Sequence, residues 1–263
     1  MYLRCLIGFA FSIPVFGGLL PNIPLDGRIV NGVYTTIQQH PHQVSLQTND
    51  GSHFCGGSII AEDIILTAAH CMMVFERLKD YQIQAHEFKV RLGASKYNMG
   101  GELVAVKSLK IHDNFDPNSK MNDVALVKLA TPVRESKNVR YIPLVEKTPA
   151  TGTTAVVTGW GTTCFITCDL SENLQEVEVD ILDYKTCASS DYGYGSDVKE
   201  TMVCAYAVDQ GTCQGDSGGP LVVDDKLVGV VSWGAGCAAP GYPGVYADIA
   251  SVRGWIEKTS KEM

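Results

Sequence analysis

The sequence predicts an all-β fold, either a β-sandwich or a pair of β-barrels, followed by one helix at the C-terminal end. Short runs rich in β-branched residues alternate with turn residues at close intervals, as in antiparallel β proteins. These runs cover residues 44–46, 64–67, 124–129, 155–158 and 227–233. The 263-residue chain also contains 26 glycines, which suit the many turns that join short strands.

Individual elements can be placed from the periodicity of apolar residues. Polar and apolar residues alternate with a period of two over 176–181, which predicts a half-buried antiparallel strand. Ile249, Val252 and Ile256 recur at helical spacing and predict a C-terminal helix. The polar, proline-containing stretch 131–143 is predicted to link two β-units.

The N-terminal residues have the pattern of a secretory signal peptide. A short polar start with one positive charge precedes an apolar run, 5–20, that contains Pro14. This run is too short to span a bilayer comfortably, so we predict a cleaved signal over 1–18, with an N-terminal anchor or a buried strand as the alternatives. Removing Cys5 leaves eight of the nine cysteines, and an even number predicts disulfides in a secreted, extracellular protein.

Composition and charge exclude several classes of function. Hydrophobic residues make up 45% and charged residues 19%, which is an ordinary globular composition. The net charge of −8 lacks the basic character that a nucleic-acid partner requires, and no C-x-x-C pair indicates structural zinc. We expect no nucleic-acid partner, no membrane association and no cofactor. Four histidines are predicted to be surface residues rather than metal ligands: His40, His42, His86 and His112.

Three segments that are distant in sequence carry residue types suited to acyl transfer. His70 follows an apolar run, Asp123 precedes a very apolar run, and Ser217 lies among glycines in 215–220. Acyl transfer requires a nucleophile, a base, a group that orients the base, and donors for the oxyanion. The glycines allow a sharp turn that can point two backbone N–H groups in one direction.

These motifs, in the order His, Asp, Ser, resemble those of the chymotrypsin-like serine peptidases, from about residue 28 to the C-terminus. The resemblance implies two antiparallel Greek-key β-barrels with the active site between them and a C-terminal helix. The peptidase domain would cover 29–263, with the first barrel over about 29–140 and the second over about 141–263. It also implies a serine endopeptidase that works through an acyl-enzyme and needs no cofactor.

The resemblance assigns a role to each site residue. Ser217 would be the nucleophile, His70 the base and Asp123 the group that orients His70. The backbone N–H groups of Gly215 and Ser217 would form the oxyanion hole. The residues expected to bind substrate are Gly211, Thr212, Gln214, Ser232, Trp233, Gly234 and Gly244.

The sequence Arg28-Ile29-Val30-Asn31-Gly32 resembles the activation site of the family, with 19–28 as a short propeptide. Cleavage after Arg28 would free the Ile29 amine to pair with Asp216. A buried aspartate is costly without a partner, so the new cation can order the loop that carries the oxyanion donors. In the uncleaved chain, Ser45 and His53 occupy the positions of the family's partners of that aspartate. The alternative is that Arg28 is a basic residue in a linker, with no role in activation.

The resemblance implies that Gly211, six residues before the nucleophile, lies at the base of the primary specificity pocket. A preference for Arg or Lys requires a buried anion there, because a buried unpaired cation is unfavourable. Gly234 and Gly244 would leave the walls open, so we predict cleavage after large apolar or aromatic residues. The alternatives are an elastase-like preference, or an acid from elsewhere, Asp224 or Asp248, that reaches into the pocket.

The resemblance also implies three disulfides, and exclusion leaves a fourth pair. The pairs are Cys55–Cys71, Cys187–Cys204, Cys213–Cys237 and, by exclusion, Cys164–Cys168. Eighteen residues separate Cys71 from Val90, and this long loop either restricts the substrate or is a surface insertion. Ala94 replaces the early acidic residue of the family's calcium loop, so we expect no metal.

The expected partners are protein or peptide substrates, protein inhibitors, and an activating trypsin-like peptidase, since a pocket without an acid cleaves poorly after Arg28. We expect a monomer. Three other readings remain: a non-catalytic binding homologue, a regulatory peptidase with a narrow target, and a structural extracellular β-protein. The intact His, Asp and Ser disfavour the first, and the Arg28-Ile29 and 215–220 motifs disfavour the third.

Overall fold

The computed structural model describes residues 32–74, 81–162 and 168–263. The strands in these ranges are β1 Val33–Tyr34, β2 Gln43–Thr48, β3 His53–Ala61, β4 Ile64–Thr67, β5 Met73–Val74, β6 Tyr81–Gln82, β7 Phe88–Leu92, β8 Glu102–Ile111, β9 Ala125–Leu129, β10 Thr154–Gly159, β11 Gln175–Leu182, β12 Met202–Tyr206, β13 Pro220–Val223, β14 Lys226–Trp233 and β15 Gly244–Asp248. The helices are α1 Tyr184–Cys187 and α2 Ile249–Glu262, with single 3₁₀ turns at His70–Met72, Ala85–Glu87 and Gly195–Asp197.

The first barrel is closed by six antiparallel strands in the order β2-β3-β4-β9-β8-β7. The fourth of its strands in sequence, β7, returns to lie beside β2, which is a Greek-key connection. Alternation in β7 places Phe88, Val90 and Leu92 inside the barrel, because successive side chains of a strand point to opposite faces.

The second barrel has six strands in the order β11-β10-β13-β14-β15-β12, and a β11–β12 pairing closes it. The short strand β1 adds to its β11 edge. The predicted alternation in β11 is confirmed, since Val177, Val179 and Ile181 are buried while Glu178 and Asp180 are exposed. In this barrel β13 returns beside β10, again a Greek-key connection.

The predicted all-β fold of two barrels and a C-terminal helix is confirmed. Strand β4 has the predicted bounds, and α2 buries Ile249, Val252 and Ile256. Asp248 begins that helix by accepting a hydrogen bond from the N–H of Ala250. The predicted linker 131–143 lies between β9 and β10, at the passage from one barrel to the other.

Three predicted disulfides are present in the described residues: Cys55–Cys71, Cys187–Cys204 and Cys213–Cys237. Cys168 is disulfide-bonded, whereas Cys164 lies outside the described residues. The predicted signal peptide, the propeptide and the Arg28-Ile29 bond also lie outside them. Among the helices of the described ranges, none has the length and apolar character needed to cross a membrane.

The surface prediction for the remaining histidines was wrong for His42, which is buried. Burial and the neighbouring His40 lower the pKa of His42 to about 3, so its ring is neutral at ordinary pH. His40 is half-buried, with its Nε2 atom 2.5 Å from the carboxylate of Glu176. A short sequence such as His40-Pro41-His42 does not reveal this burial, which depends on the packing of distant segments.

Candidate active site

The first barrel brings His70 and Asp123 together at one end. His70 begins the 3₁₀ turn just after β4, and Asp123 lies two residues before β9. These strands are paired, with Thr67 opposite Ala125, so the residues beyond their ends are neighbours. The Nδ1 atom of His70 lies 2.7 Å from Oδ2 of Asp123, and the His70 backbone N–H donates to Oδ1 at 2.8 Å. Two hydrogen bonds therefore fix the imidazole relative to the carboxylate.

The carboxylate of Asp123 is fully buried, with 0% of the residue exposed, and is held by both barrels. Ser232 of the second barrel donates its hydroxyl to Oδ2 at 2.5 Å. Burial by itself would raise the pKa of Asp123, but His70 and the hydrogen bonds from His70 and Ser232 outweigh it and lower the pKa. Asp123 therefore stays ionised and can stabilise an imidazolium.

The second barrel supplies Ser217 on a tight turn. Gly215 has φ of +95° and Gly218 has φ of +79°, in the region that favours glycine. A Cβ atom on Gly218 would lie only 2.6 Å from the carbonyl oxygen of Gly56. The Gly56 N–H donates to the carbonyl oxygen of Ser217 at 2.8 Å, which docks this turn on the first barrel. Glycine is thus required for the close approach that brings Ser217 into the cleft lined by His70.

The same turn leaves two backbone donors available. The N–H groups of Gly215 and Ser217 donate to no acceptor among the described residues. Backbone N–H groups without a partner bind an oxyanion well, because they need no reorganisation as charge develops. This arrangement supports the prediction that these two N–H groups form the oxyanion hole.

Asp216 lies within this turn but points away from the cleft, into the second barrel. Its carboxylate accepts hydrogen bonds from the backbone N–H groups of Gly161, at 2.8 Å, and Cys213, at 2.9 Å. Burial raises the pKa of Asp216 to about 7 despite these two bonds. The second barrel therefore holds a fully buried carboxyl whose charged form is disfavoured by burial.

Ser45 and His53 support the same turn from the first barrel. The Oγ atom of Ser45 lies 2.7 Å from Nδ1 of His53, and Nε2 of His53 lies 2.9 Å from the carbonyl oxygen of Gly215. Burial lowers the pKa of His53 to about 4, and the bond to Gly215 opposes this change only in part. In this conformation His53 therefore holds the residue that precedes Asp216.

A cavity of about 150 Å³ opens beside Ser217 within the second barrel. Its walls come from β14, β15 and the segment before Ser217, and the Cys213–Cys237 disulfide joins the two loops that flank it. All of the predicted substrate-binding residues line it: Gly211, Thr212, Gln214, Ser232, Trp233, Gly234 and Gly244. We call this cavity the primary pocket.

No acidic side chain lines the primary pocket among the described residues. Asp224 lies in the exposed turn between β13 and β14, and Asp248 caps α2 while accepting a hydrogen bond from Thr148 at 2.7 Å. Asp224 and Asp248, the acids considered as alternatives, therefore do not line the primary pocket.

Comparison with known proteins agrees with this geometry. The family model described as Trypsin matches residues 29–256. The chain belongs to the trypsin family. It is 60% identical to "Trypsin" of Sarcophaga bullata over 262 residues, which are 99% of this chain and 100% of that protein. It is 50% identical to "Trypsin theta" of Drosophila melanogaster over 90% of this chain and 88% of that protein. It is also 46% identical to "Hypodermin-B" of Hypoderma lineatum over 98% of this chain and 97% of that protein.

Membership of the trypsin family makes the protein a serine endopeptidase, and the predicted family and enzyme class are confirmed. The alternative of a structural extracellular β-protein is thereby excluded. The family match does not assign individual residues, so the roles of the site residues remain predictions that the geometry above supports.

Sequence reasoning identified Trp233 but missed Tyr194 and Tyr242, two aromatic residues beside the primary pocket of this trypsin-family enzyme. Tyr194 packs edge-to-face on Trp233 and on Tyr242, with ring centroids 4.8 and 5.3 Å apart. Its hydroxyl donates to the carbonyl oxygen of Pro243 at 2.9 Å and accepts the N–H of Ala235 at 2.8 Å. Tyr194 thereby fixes the pocket rim, but its sequence surroundings carry no signal of that position.

Proposed function

We propose that this protein is a secreted digestive-type serine endopeptidase, made as a zymogen, that cleaves after large apolar or aromatic residues through Ser217, His70 and Asp123. The primary pocket without an acid is the observation that carries the substrate preference. The hydrogen-bonded His70–Asp123 pair beside Ser217 supports the catalytic roles.

The proposed reaction has two acyl-transfer steps. Ser217 Oγ attacks the scissile carbonyl carbon while its proton passes to His70 Nε2, and the N–H groups of Gly215 and Ser217 receive the oxyanion. Collapse of the intermediate breaks the C–N bond, and His70 gives the proton to the leaving amine. Water then attacks the acyl-enzyme, its proton passes through His70 to Ser217 Oγ, and the acid product leaves. Asp123 stays ionised and holds the imidazole by its Nδ1 atom.

The preference for an apolar or aromatic residue before the cleaved bond rests on the chemistry of the pocket. Gly211 leaves the base open, and a hydrogen bond between Thr212 and Tyr246 satisfies polar groups nearby. A cationic side chain here would be buried without an anion, which costs several kcal/mol, roughly.

A trypsin-like preference for Arg or Lys is the second candidate, because relatives at 60% and 50% identity carry the name trypsin. This candidate needs an anion at the pocket base, and Gly211 supplies none. An elastase-like preference is less well supported, since Gly234 and Gly244 do not narrow the pocket.

Activation is proposed to follow cleavage after Arg28 by a trypsin-like peptidase, with the Ile29 ammonium pairing with Asp216. The buried carboxyl of Asp216, with a pKa of about 7, supports a role as receptor for that cation. A newly paired ion inside the second barrel would hold the turn that carries the oxyanion donors.

Secretion with removal of a signal over 1–18, action as a monomer, and inhibition by proteins complete the proposal. Three disulfides in the described residues support an oxidising compartment. Protein or peptide chains are the expected substrates.

The experiment is activation of the purified precursor with immobilised trypsin, removal of the beads, and profiling of cleavage on a peptide library. We expect no activity before trypsin and then cleavage after Phe, Tyr and Leu. A Ser217→Ala precursor treated in parallel measures any trypsin that carries over. Dominant cleavage after Arg or Lys, above that background, would establish the second candidate instead.

A further inference from the structure

The backbone N–H of Gly215 is an oxyanion donor in the proposed reaction, so the direction in which it points affects the rate. This N–H belongs to the peptide group that joins Gln214 to Gly215. All peptide bonds of the described residues are trans, and in a trans peptide the carbonyl oxygen and the N–H point in opposite directions. A group that holds the carbonyl oxygen of Gln214 therefore also fixes the direction of the Gly215 N–H.

Thr162 holds that carbonyl oxygen. Its backbone N–H donates to the carbonyl oxygen of Gln214 at 2.7 Å, and its hydroxyl donates to the side-chain oxygen of the same glutamine at 3.1 Å. The backbone N–H of the preceding residue, Gly161, donates to the carboxylate of Asp216. Thr162 and Gly161 thus bind the chain on both sides of Gly215.

Leu170 packs against Gly215 itself. A Cβ atom built on Gly215 would lie 2.6 Å from Cδ2 of Leu170 and 3.1 Å from Cα of Gly161, so the three residues are in contact. Rotation of the Gln214–Gly215 peptide requires a change in φ of Gly215, which is +95°, and a glycine is free to make that change. Close packing on its α-carbon opposes the change, because packed atoms leave little room for movement.

The backbone that carries Leu170 is attached to both barrels. Leu170 forms an isolated antiparallel bridge with Thr162, which follows β10 of the second barrel. Four residues later the N–H of Leu174 donates to the carbonyl oxygen of Ser95, in the loop after β7 of the first barrel. Both attachments are made between described residues, and Leu170 is half-buried between them. Its side chain is therefore a fixed support for Gly215.

We propose that Leu170 is a positioning residue for the oxyanion hole: its contact with Gly215 keeps the peptide group that Thr162 anchors aimed at the oxyanion. The inference rests on the proposed acyl-enzyme reaction and names a residue that prepares one of its donors. Leu170 acts through Gly215 and touches no reacting atom. Because a donor that is already aimed needs no reorganisation as charge develops, the effect of Leu170 falls on the transition state and not on substrate binding.

The test compares two ligands of the activated enzyme that differ at the reacting carbon. Both are blocked peptides that end in the residue selected by the peptide library. One is a trifluoromethyl ketone, to which Ser217 Oγ adds while its proton passes to His70, so that the carbonyl oxygen becomes an oxyanion. The other is the corresponding alcohol, which forms no oxyanion. Steady-state kinetics on a peptide amide of the same sequence gives kcat and KM.

Leu170→Ala should lower kcat about tenfold with KM nearly unchanged, and should weaken the ketone about tenfold relative to the alcohol. This is a fraction of the roughly 10²–10³ in kcat that removal of a whole oxyanion donor costs, because the misdirected N–H is still present. Leu170→Met, which conserves the side-chain volume, should restore most of the parent kcat and of the parent ratio of affinities.

Leu109→Ala is the matched control, since Leu109 is another half-buried leucine and lines neither the primary pocket nor the cleft beside His70. It should lower Tm while leaving the ketone-to-alcohol ratio at the parent value. If Leu170→Ala does not fold, Leu170→Val shortens the side chain by one carbon and should give a smaller loss in the same direction.

The outcomes separate this inference from the proposed reaction. Parent values of kcat and of the ketone-to-alcohol ratio in the Leu170 variants would overturn the inference and leave the reaction intact. Equal weakening of ketone and alcohol would show that Leu170 only packs, and would overturn the inference as well. If the activated parent enzyme hydrolyses no amide, or binds the ketone no more tightly than the alcohol, the proposed reaction fails and the inference fails with it.

Discussion

The two cavities on either side of Ser217 are built in different ways. The primary pocket, about 150 Å³, lies within one barrel between paired strands and is bounded by a disulfide. The second cavity, a cleft of about 670 Å³ that His70 lines, lies on the first barrel and takes one wall from the β5–β6 hairpin. Glycines and aromatic side chains of the second barrel line the first cavity, whereas side chains of the first barrel and of the loop hairpin line the second.

This difference indicates where each kind of specificity comes from. A cavity formed by strands changes its preference when one residue at its base changes, because the walls cannot move to compensate. A cleft formed by loop side chains discriminates less sharply, since each contact covers only part of the ligand. We therefore expect the primary pocket to select substrate residues more strongly than the second cavity does.

The largest loss of activity is expected from a change at Ser217, which lines both cavities. Ser217→Ala removes the nucleophile that both cavities serve and should lower kcat by about 10⁶. A residual acceleration of roughly 10³–10⁴ over water, as known for other serine peptidases with this triad, should remain because the oxyanion donors and substrate binding are kept. Steady-state kinetics on a peptide amide measures the loss. Ser190→Ala, at an exposed serine outside both cavities, should keep full activity, and an active Ser217→Ala enzyme would refute the assigned nucleophile.

Replacing Gly211, at the predicted base of the primary pocket, should change the substrate preference by a smaller factor. A Cβ atom on Gly211 would lie 3.7 Å from Cβ of Ala238, which is ordinary contact, so aspartate fits. Since an unpaired buried charge costs about 3–5 kcal/mol, Gly211→Asp should raise the Arg-to-Phe ratio of kcat/KM by about a hundredfold or more.

Gly254→Asp provides the matched control for this charge change. Gly254 lies on α2 with open space around it, far from the cavity lining. The two variants are compared on paired arginine and phenylalanine nitroanilides. An unchanged ratio in Gly211→Asp would show that this residue is not at the base of the substrate pocket.

The smallest expected effect comes from Asp216, in the turn that carries Ser217. It is a change in how thermal stability depends on pH. The pKa of Asp216 in the folded protein, about 7, is above its ordinary value of 3.8. The folded protein therefore favours the protonated form of Asp216. Its contribution to the free energy of unfolding is fully present below pH 3.8 and is lost as the pH rises to 7. In an uncleavable Arg28→Gln precursor, Asp216→Asn removes this ionisation.

The Tm of the Asp216→Asn precursor, relative to that of its Arg28→Gln parent, should thus rise by on the order of a few degrees between pH 4 and pH 7. Thermal unfolding at matched ionic strength measures it. A difference in Tm that stays constant over this range would contradict a buried carboxyl that lacks a cation in the precursor.

Much of the fold and of the candidate site could be predicted because the signals are local. Residues 64–67 form a strand because a β-branched run fits a pleated, buried surface, and α2 forms where apolar residues recur at helical spacing. The glycines around Ser217 allow positive φ wherever the turn is placed in the fold. Such properties depend on neighbours in sequence.

Other features could not be predicted, because they depend on residues far apart in the chain. The burial of His42 results from contacts with segments beyond its own turn, and Tyr194 reaches the pocket rim through Pro243 and Trp233. No periodicity within a short window records such contacts.

The sequence by itself determined the residue types suited to acyl transfer, the periodicity of the strands and the presence of glycine at position 211. Only the tertiary structure decided which side chains share a cavity, such as Tyr81 with Ser217 in the cleft on the first barrel. The physical reason is that side-chain chemistry and backbone preference are local, whereas a cavity forms only when the pairing of distant strands brings two barrels together.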